Sequence, residues 1–114
     1  MPDCIFCKIA THQMPTELCF EDAAVVAFAD INPKAPTHIL VVPKKHIGRL
    51  CETTPEDAGL IANIFLAIQH LVKKLNLALA GYRVVVNDGR AAGQAVDHLH
   101  FHILGGREFK WPPG

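Results

Sequence analysis

No one sign of charge dominates this sequence: eleven lysines and arginines stand against eleven aspartates and glutamates. A balanced chain without a long basic run has no electrostatic reason to bind nucleic acid or an anionic membrane, so any phosphate it holds must be gripped locally. No stretch approaches the roughly 18 consecutive apolar residues of a membrane helix. The start, MPDCIFCKIATHQ, has neither the basic segment nor the apolar region of a secretion signal, so a soluble, cytoplasmic protein is expected. Cysteine is scarce as well: Cys4, Cys7, Cys19 and Cys51 are too few for a secreted disulfide scaffold. Cys19, in an apolar run, and Cys51, near a helix-rich segment, are expected to pack as small hydrophobes. With half of its 114 residues apolar, the chain suits one domain with one core, spanning residues 1–114.

Ile5, Phe6 and Ile9 recur at helical spacing, predicting a short N-terminal helix that ends by Pro15. LCFED and AVVAFAD read as two strands turning near Glu21 and Asp22, and INPKAP as a loop whose prolines withhold backbone donors. THILVVP is a β-branched run, too short for a helix, that puts His38, Leu40 and Val42 on one face. The longest element begins at TTPED, with Thr54 to cap, Pro55 at the first helical position and Asp57 as the capping-box acid. Leu60, Ile61, Ile64, Phe65, Ile68, Leu71, Val72 and Leu75 mark its apolar stripe, His70 falls on its solvent side, and Gly81 offers a stop. YRVVV is a fourth strand, NDGRAAGQ a glycine-containing loop and DHLHFHILG a fifth strand. The expected class is α+β: a mostly antiparallel five-stranded sheet with one long and one short helix.

Three of the seven histidines, His98, His100 and His102, stand at every second position, with Leu99, Phe101 and Ile103 between them. On a strand the histidines would share one face and the apolar residues the other. The apolar face is core. The histidine face could be a polar surface, alternate imidazoles converging on one metal, or a nucleophile attacking phosphorus to form a covalent intermediate. Cys4 and Cys7, two residues apart, suit a metal ion or a redox disulfide.

The segment GQAVDHLHFHILGGREFKWPPG resembles the signature of the histidine triad (HIT) family, and its ending is similar to that of the Hint branch, the histidine triad nucleotide-binding proteins. CIFCKI, FADINPKAPTHILVVPKKHI and VVVND match in order along nearly the whole chain. The resemblance implies that His100 is the nucleophile of a purine nucleoside phosphoramidate hydrolase, its tautomer fixed by a hydrogen bond that a backbone carbonyl is expected to accept. It sets His102 and His38 beside the phosphate as donors or proton sources. Asn87, Gly93, Gln94, Ala95 and Val96 match the places that cradle the phosphoryl oxygens. Many Hint proteins have serine at the place of Ala95; losing that one donor can cost on the order of a hundredfold in rate.

Ile5, Phe6, Ile9, Phe28 and Ile31 match the family's apolar base slot, although each could be ordinary core. Asp30 matches the acceptor of ribose hydroxyls, although it could merely cap a turn. Trp111 lies in a tail that in similar proteins crosses a two-fold homodimer with a continuous sheet and lines the partner's leaving-group pocket, the rival being packing on its own chain. The resemblance also implies a structural zinc site of Cys4, Cys7, His46 and His98, two thiolates and two imidazoles that leave no open position. The expected partners are an AMP-type purine nucleotide and a second copy of the chain, with no nucleic acid and no membrane. Rival readings are a dinucleoside polyphosphate hydrolase, a nucleotide-binding interaction module with little turnover, and a metal buffer.

Overall fold

The computed structural model describes residues 3–114. In chain order its elements are α1 (Ile5–Ala10), β1 (Leu18–Glu21), β2 (Val25–Ala29), β3 (Thr37–Pro43), α2 (Ala58–Lys74), β4 (Tyr82–Val86) and β5 (Phe101–Gly105). The strands form one sheet in the order β1-β2-β3-β5-β4, and every pairing is antiparallel. This is the expected α+β arrangement.

The central strand β3 is covered on both faces, which is why its sequence is a continuous apolar run. Ile39 and Val41 join Val25, Ala27, Phe101 and Ile103 beneath α2, while Leu40 and Val42 join Val26 and Phe28 beneath Phe6, Ile9 and Ala10 of α1. The long helix opens on the predicted capping box, with Thr54 N–H donating to Asp57 at 2.9 Å. Lys45 pairs with the other oxygen of that buried carboxylate at 2.7 Å and holds the Asp57 carboxyl below its ordinary range. Ile64, Ala67, Ile68, Leu71 and Val72 face the sheet. Phe65 is half exposed, as is Leu66. His70 lies at the surface as expected, against the Phe20 ring.

Several boundaries differ from the sequence reading. α2 stops at Lys74 rather than at Gly81, because Asn76 adopts a left-handed conformation (φ 59°). Leu77 N–H then reaches back to Val72 C=O at 2.8 Å and Asn76 N–H to Lys73 C=O at 3.2 Å, a Schellman closure with asparagine in the usual glycine place. α1 ends at Ala10, short of Pro15, with His12 left-handed just beyond it. Cys19 packs against the α2-side core, but Cys51 is exposed: it follows inward-packed Leu50 on a tight turn, and its N–H is bound by the Asp88 carboxylate at 2.9 Å. The largest difference is β5, which is paired only from Phe101. Its neighbours give out there, since Phe101 faces Val41 and Val86 at the end of both ladders, and β3 closes on Pro43 two residues later. Leu99 N–H turns instead to Ile47 C=O at 2.6 Å. Among the described residues, no helix is long and apolar enough to cross a membrane.

Candidate active site

Although His98 and His100 precede the paired part of β5, the alternation survives. Leu99, Phe101 and Ile103 are buried in the α2-side core, while His98 and His100 meet Phe6 of α1 on the opposite side. Leaving the ladder has a chemical consequence: the carbonyl of His98 is free of a strand partner and accepts the His100 Nδ1–H at 2.7 Å. This is the backbone carbonyl expected to fix the ring, and in the neutral imidazole it leaves the lone pair on Nε2. His100 is itself buried, its ring centre 5.1 Å from that of Phe6, which it meets nearly at right angles, and 5.1 Å from that of His102.

The second group of polar side chains is a chain of donors and acceptors. Lys34 N–H donates to His38 Nδ1 at 3.0 Å, so the neutral His38 ring has its proton on Nε2. That Nε2 lies 2.9 Å from His102 Nδ1 and 3.5 Å from Asp30 Oδ2, and the proton goes to the nearer acceptor. His102 is therefore left with an Nε2–H, on a ring whose centre lies 5.1 Å from that of His100. Burial lowers the basicity of both rings. For His102, burial followed by the neighbouring His100 and His38 overcomes the opposing Asp30 and brings the value to about 4. For His38, burial outweighs the attraction of Asp30. Both rings are neutral near pH 7. The ligand atoms of Asp30, His38 and His102 lie within 4.8 Å of one another, yet this group does not suit a metal, because the only nitrogen that His38 turns to it is the protonated one.

Around the sulfurs the arrangement is the reverse. His98 is fully buried and donates Nε2–H to the carbonyl of Pro43 at 2.8 Å, so its Nδ1 is bare. That single lone pair lies 3.1 Å from His46 Nδ1, 3.4 Å from Cys4 Sγ and 3.5 Å from Cys7 Sγ. His46 Nδ1 is also 3.2 Å from Cys7 Sγ. One lone pair cannot answer three neighbours, whereas one cation answers all four. Tetrahedral zinc with the usual bond lengths separates its ligand atoms by about 3.3–3.8 Å. The donor set therefore fits zinc. Burial, and then the Cys4 thiol beside it, raise the Cys7 thiol above its ordinary value.

The other expected residues divide. Phe6, Ile9 and Phe28 are buried together, Phe6 meeting Phe28 edge-on at 5.5 Å, whereas Ile5 and Ile31 project into solvent. Asp30 does cap a turn, accepting Asn32 N–H at 2.8 Å on Oδ1, while its Oδ2 points toward His38. Asn87 spends one amide hydrogen on Ala92 C=O at 2.7 Å. Gly93 is left-handed (φ +88°), Ala95 is exposed, and Val96 packs against the Phe6 and Phe28 cluster. Ile5, Ala95 and Val96 line an open cavity of about 390 Å³ together with Cys4, His46 and Asp97. Trp111 is 83% exposed and is not brought to the other site residues. Sequence reasoning missed the main-chain partners, Lys34 N–H and Pro43 C=O, which no side-chain pattern announces.

The HIT domain family matches residues 11–109. This chain belongs to that family. The match begins after α1, so the HIT region contains His46 and His98 but not the two cysteines. A HIT-like protein of Synechocystis, described as uncharacterized, is 44% identical over 112 residues, 98% of this chain and 97% of that protein. The crystal structure of a HIT family hydrolase from Legionella pneumophila superposes with a TM-score of 0.96 at 46% identity, covering 98% of this chain and all of that one. A histidine triad nucleotide-binding protein from Candida albicans superposes at 0.80 with 35% identity, covering 96% of this chain and 83% of that one. The chain is thus a HIT protein, and the solved structures it resembles include one described as a hydrolase and one as a nucleotide-binding protein.

Proposed function

We propose that this HIT protein is of the Hint type and hydrolyses purine nucleoside 5'-phosphoramidates to the nucleoside monophosphate and an amine. The observation that carries the reading is the pair at the centre of the site: a buried imidazole with its lone pair on Nε2 beside a second imidazole that offers an N–H. His100 Nε2 attacks the α-phosphorus, the P–N bond to the amine breaks, and the amine departs with the Nε2 proton of His102. Water then attacks phosphorus and the phosphorus–histidine bond breaks; one proton of the water returns to His102, and the monophosphate and neutral His100 are released. As charge gathers on the phosphoryl oxygens, the His102 N–H and the amides of Ala95 and Val96 are the donors to meet it, the Gly93 and Gln94 N–H groups being bound to Arg90 and Gly89 C=O. Preorganised donors are the efficient form of stabilisation in a partly dehydrated site. Phe6, Ile9 and Phe28, with Ile5 and Ile31 at the rim, take the base, and the free oxygen of Asp30 takes a ribose hydroxyl.

Zinc held by Cys4, Cys7, His46 and His98 would supply structure only, tying α1 and its base-slot residues to the segment that bears the nucleophile. The edge strand β4 with exposed Tyr82 and Val84, exposed Phe65 and Leu66 on α2, and Trp111 in the tail support a homodimer joined through that edge. The decisive experiment mixes the protein with adenosine 5'-phosphoramidate, follows AMP release, and inspects quenched protein by intact mass, with His100→Ala alongside. Turnover and a nucleotidyl adduct in wild type, both absent from the variant, are expected. Nucleotide binding without turnover in either protein would replace the hydrolase reading with that of a nucleotide-binding module.

A further inference from the structure

Gln94 stands at a place that, by resemblance, cradles phosphate, but its side chain is turned away from that task. Its Oε1 accepts Gly89 N–H at 2.8 Å, and its Nε2 donates to Gly48 C=O at 2.7 Å and to Val96 C=O at 3.0 Å. Both amide hydrogens are used. The orientation is unambiguous, because flipping the amide would set its nitrogen against an N–H and its oxygen against two carbonyls. The side chain thereby joins three segments: the stretch after β3 at Gly48, the turn after β4 at Gly89, and the loop that leads into His98 and His100.

The same junction is braced on either side. Arg49 pairs with Asp88 at 2.5 Å, Asp88 also holds the N–H of Cys51, and Leu99 N–H is bound to Ile47 C=O at 2.6 Å. Gly89 is left-handed (φ +94°), and a Cβ there would stand 2.9 Å from the Arg49 guanidinium, so the turn accepts no ordinary side chain. Ala95 offers no hydroxyl, so at that position only the main chain is available as a donor to phosphate. Main-chain donors contribute to catalysis in proportion to how well they are held before the reaction.

We infer that Gln94 is a positioning residue: without touching the nucleotide itself, it locks the 93–97 loop so that the amides of Ala95 and Val96 meet the phosphoryl group of the transition state, the Gly93 and Gln94 amides being held by Arg90 and Gly89 C=O. This rests on the hydrolase reading above, and its test separates the two. Gln94→Ala and Gly89→Ala, singly and together, are compared with wild type for kcat and KM on adenosine 5'-phosphoramidate, for AMP affinity by calorimetry, for melting temperature, and for amide exchange across residues 93–97. Gln94→Ala is expected to lower kcat by about ten- to a hundredfold, to leave AMP affinity within about twofold, and to speed exchange in the loop. Because both substitutions release the same strut, the double variant should lose little more than the worse single one.

Two results overturn the inference. If AMP affinity falls as much as kcat/KM while loop exchange is unchanged, Gln94 contacts the phosphate directly. If melting temperature falls while kcat holds, Gln94 serves stability alone. Should wild type release no AMP, the hydrolase reading fails by itself. The strut is then decided by exchange and affinity: faster loop exchange with unaltered AMP affinity upholds it, and the converse refutes it.

Discussion

On one side of His100, four ligand atoms turn toward a common centre; on the other, polar groups are strung donor to acceptor. Each cluster contains two histidines, both are partly buried, and each includes one member of the alternating triad. Beyond the two thiols of the first and the carboxylate of the second, what separates them is the main-chain group at the far nitrogen of one ring. Pro43 offers a carbonyl to His98 and so leaves the inward nitrogen bare, whereas Lys34 offers an N–H to His38 and so makes the inward nitrogen protonated. For the histidines, residue type alone therefore does not say whether a ring serves a metal site or a hydrogen-bond relay; the backbone partner on its outer side does.

The sharpest way to break the contrast is to disable each cluster and read both properties. Removing His102 should have the largest effect: His102→Ala is expected to slow turnover by about 10²- to 10⁴-fold with the zinc content unchanged at one ion per chain. A matching loss of zinc would show that the clusters are one unit. Cys7→Ser should do the reverse on metal, abolishing stoichiometric zinc and lowering the melting temperature by about 10 °C or more, since structural zinc binding is folding free energy. Retention of tight zinc by that variant would remove Cys7 from the ligand set.

A finer distinction lies within the relay. Glutamine can accept Lys34 N–H and donate to His102 together, so His38→Gln should retain about tenfold more turnover than His38→Ala. Equal losses would mean that the proton order derived from Lys34 is wrong. The smallest effect concerns acidity. His102 is lowered to about 4 in the fold from an ordinary 6.5, so between those values the unfolded chain binds a proton that the native one excludes. Its contribution to stability is therefore complete above about pH 6.5 and is lost progressively as the pH falls toward 4. Melting curves of His102→Gln should fall less steeply than wild type over that interval, and parallel curves would contradict the burial of this ring.

Much of this was legible from residue order. THILVVP and YRVVV become strands with the predicted limits, and Thr54, Pro55 and Asp57 form the predicted cap, because each is decided by local chemistry. The period of two correctly assigned the histidines to one side and Leu99, Phe101 and Ile103 to the core. What escaped was decided across the sheet or through the main chain. β5 shortens because its neighbours end, α2 stops early because Asn76 tolerates a left-handed turn, and Gln94 faces inward because three distant backbone groups converge on it. Cys51 was misjudged because its neighbour Leu50 takes the inward place on the turn.

The alternation that runs from His98 to Ile103 also limits how this gene segment can change length. Side chains there take turns between the site and the α2 core, so gaining or losing a single residue within it would carry every histidine before the change into the hydrophobic interior and every apolar partner out toward the substrate. Substitutions in this stretch alter one function at a time. A one-codon insertion or deletion would exchange the protein's interior with the face that carries the histidines.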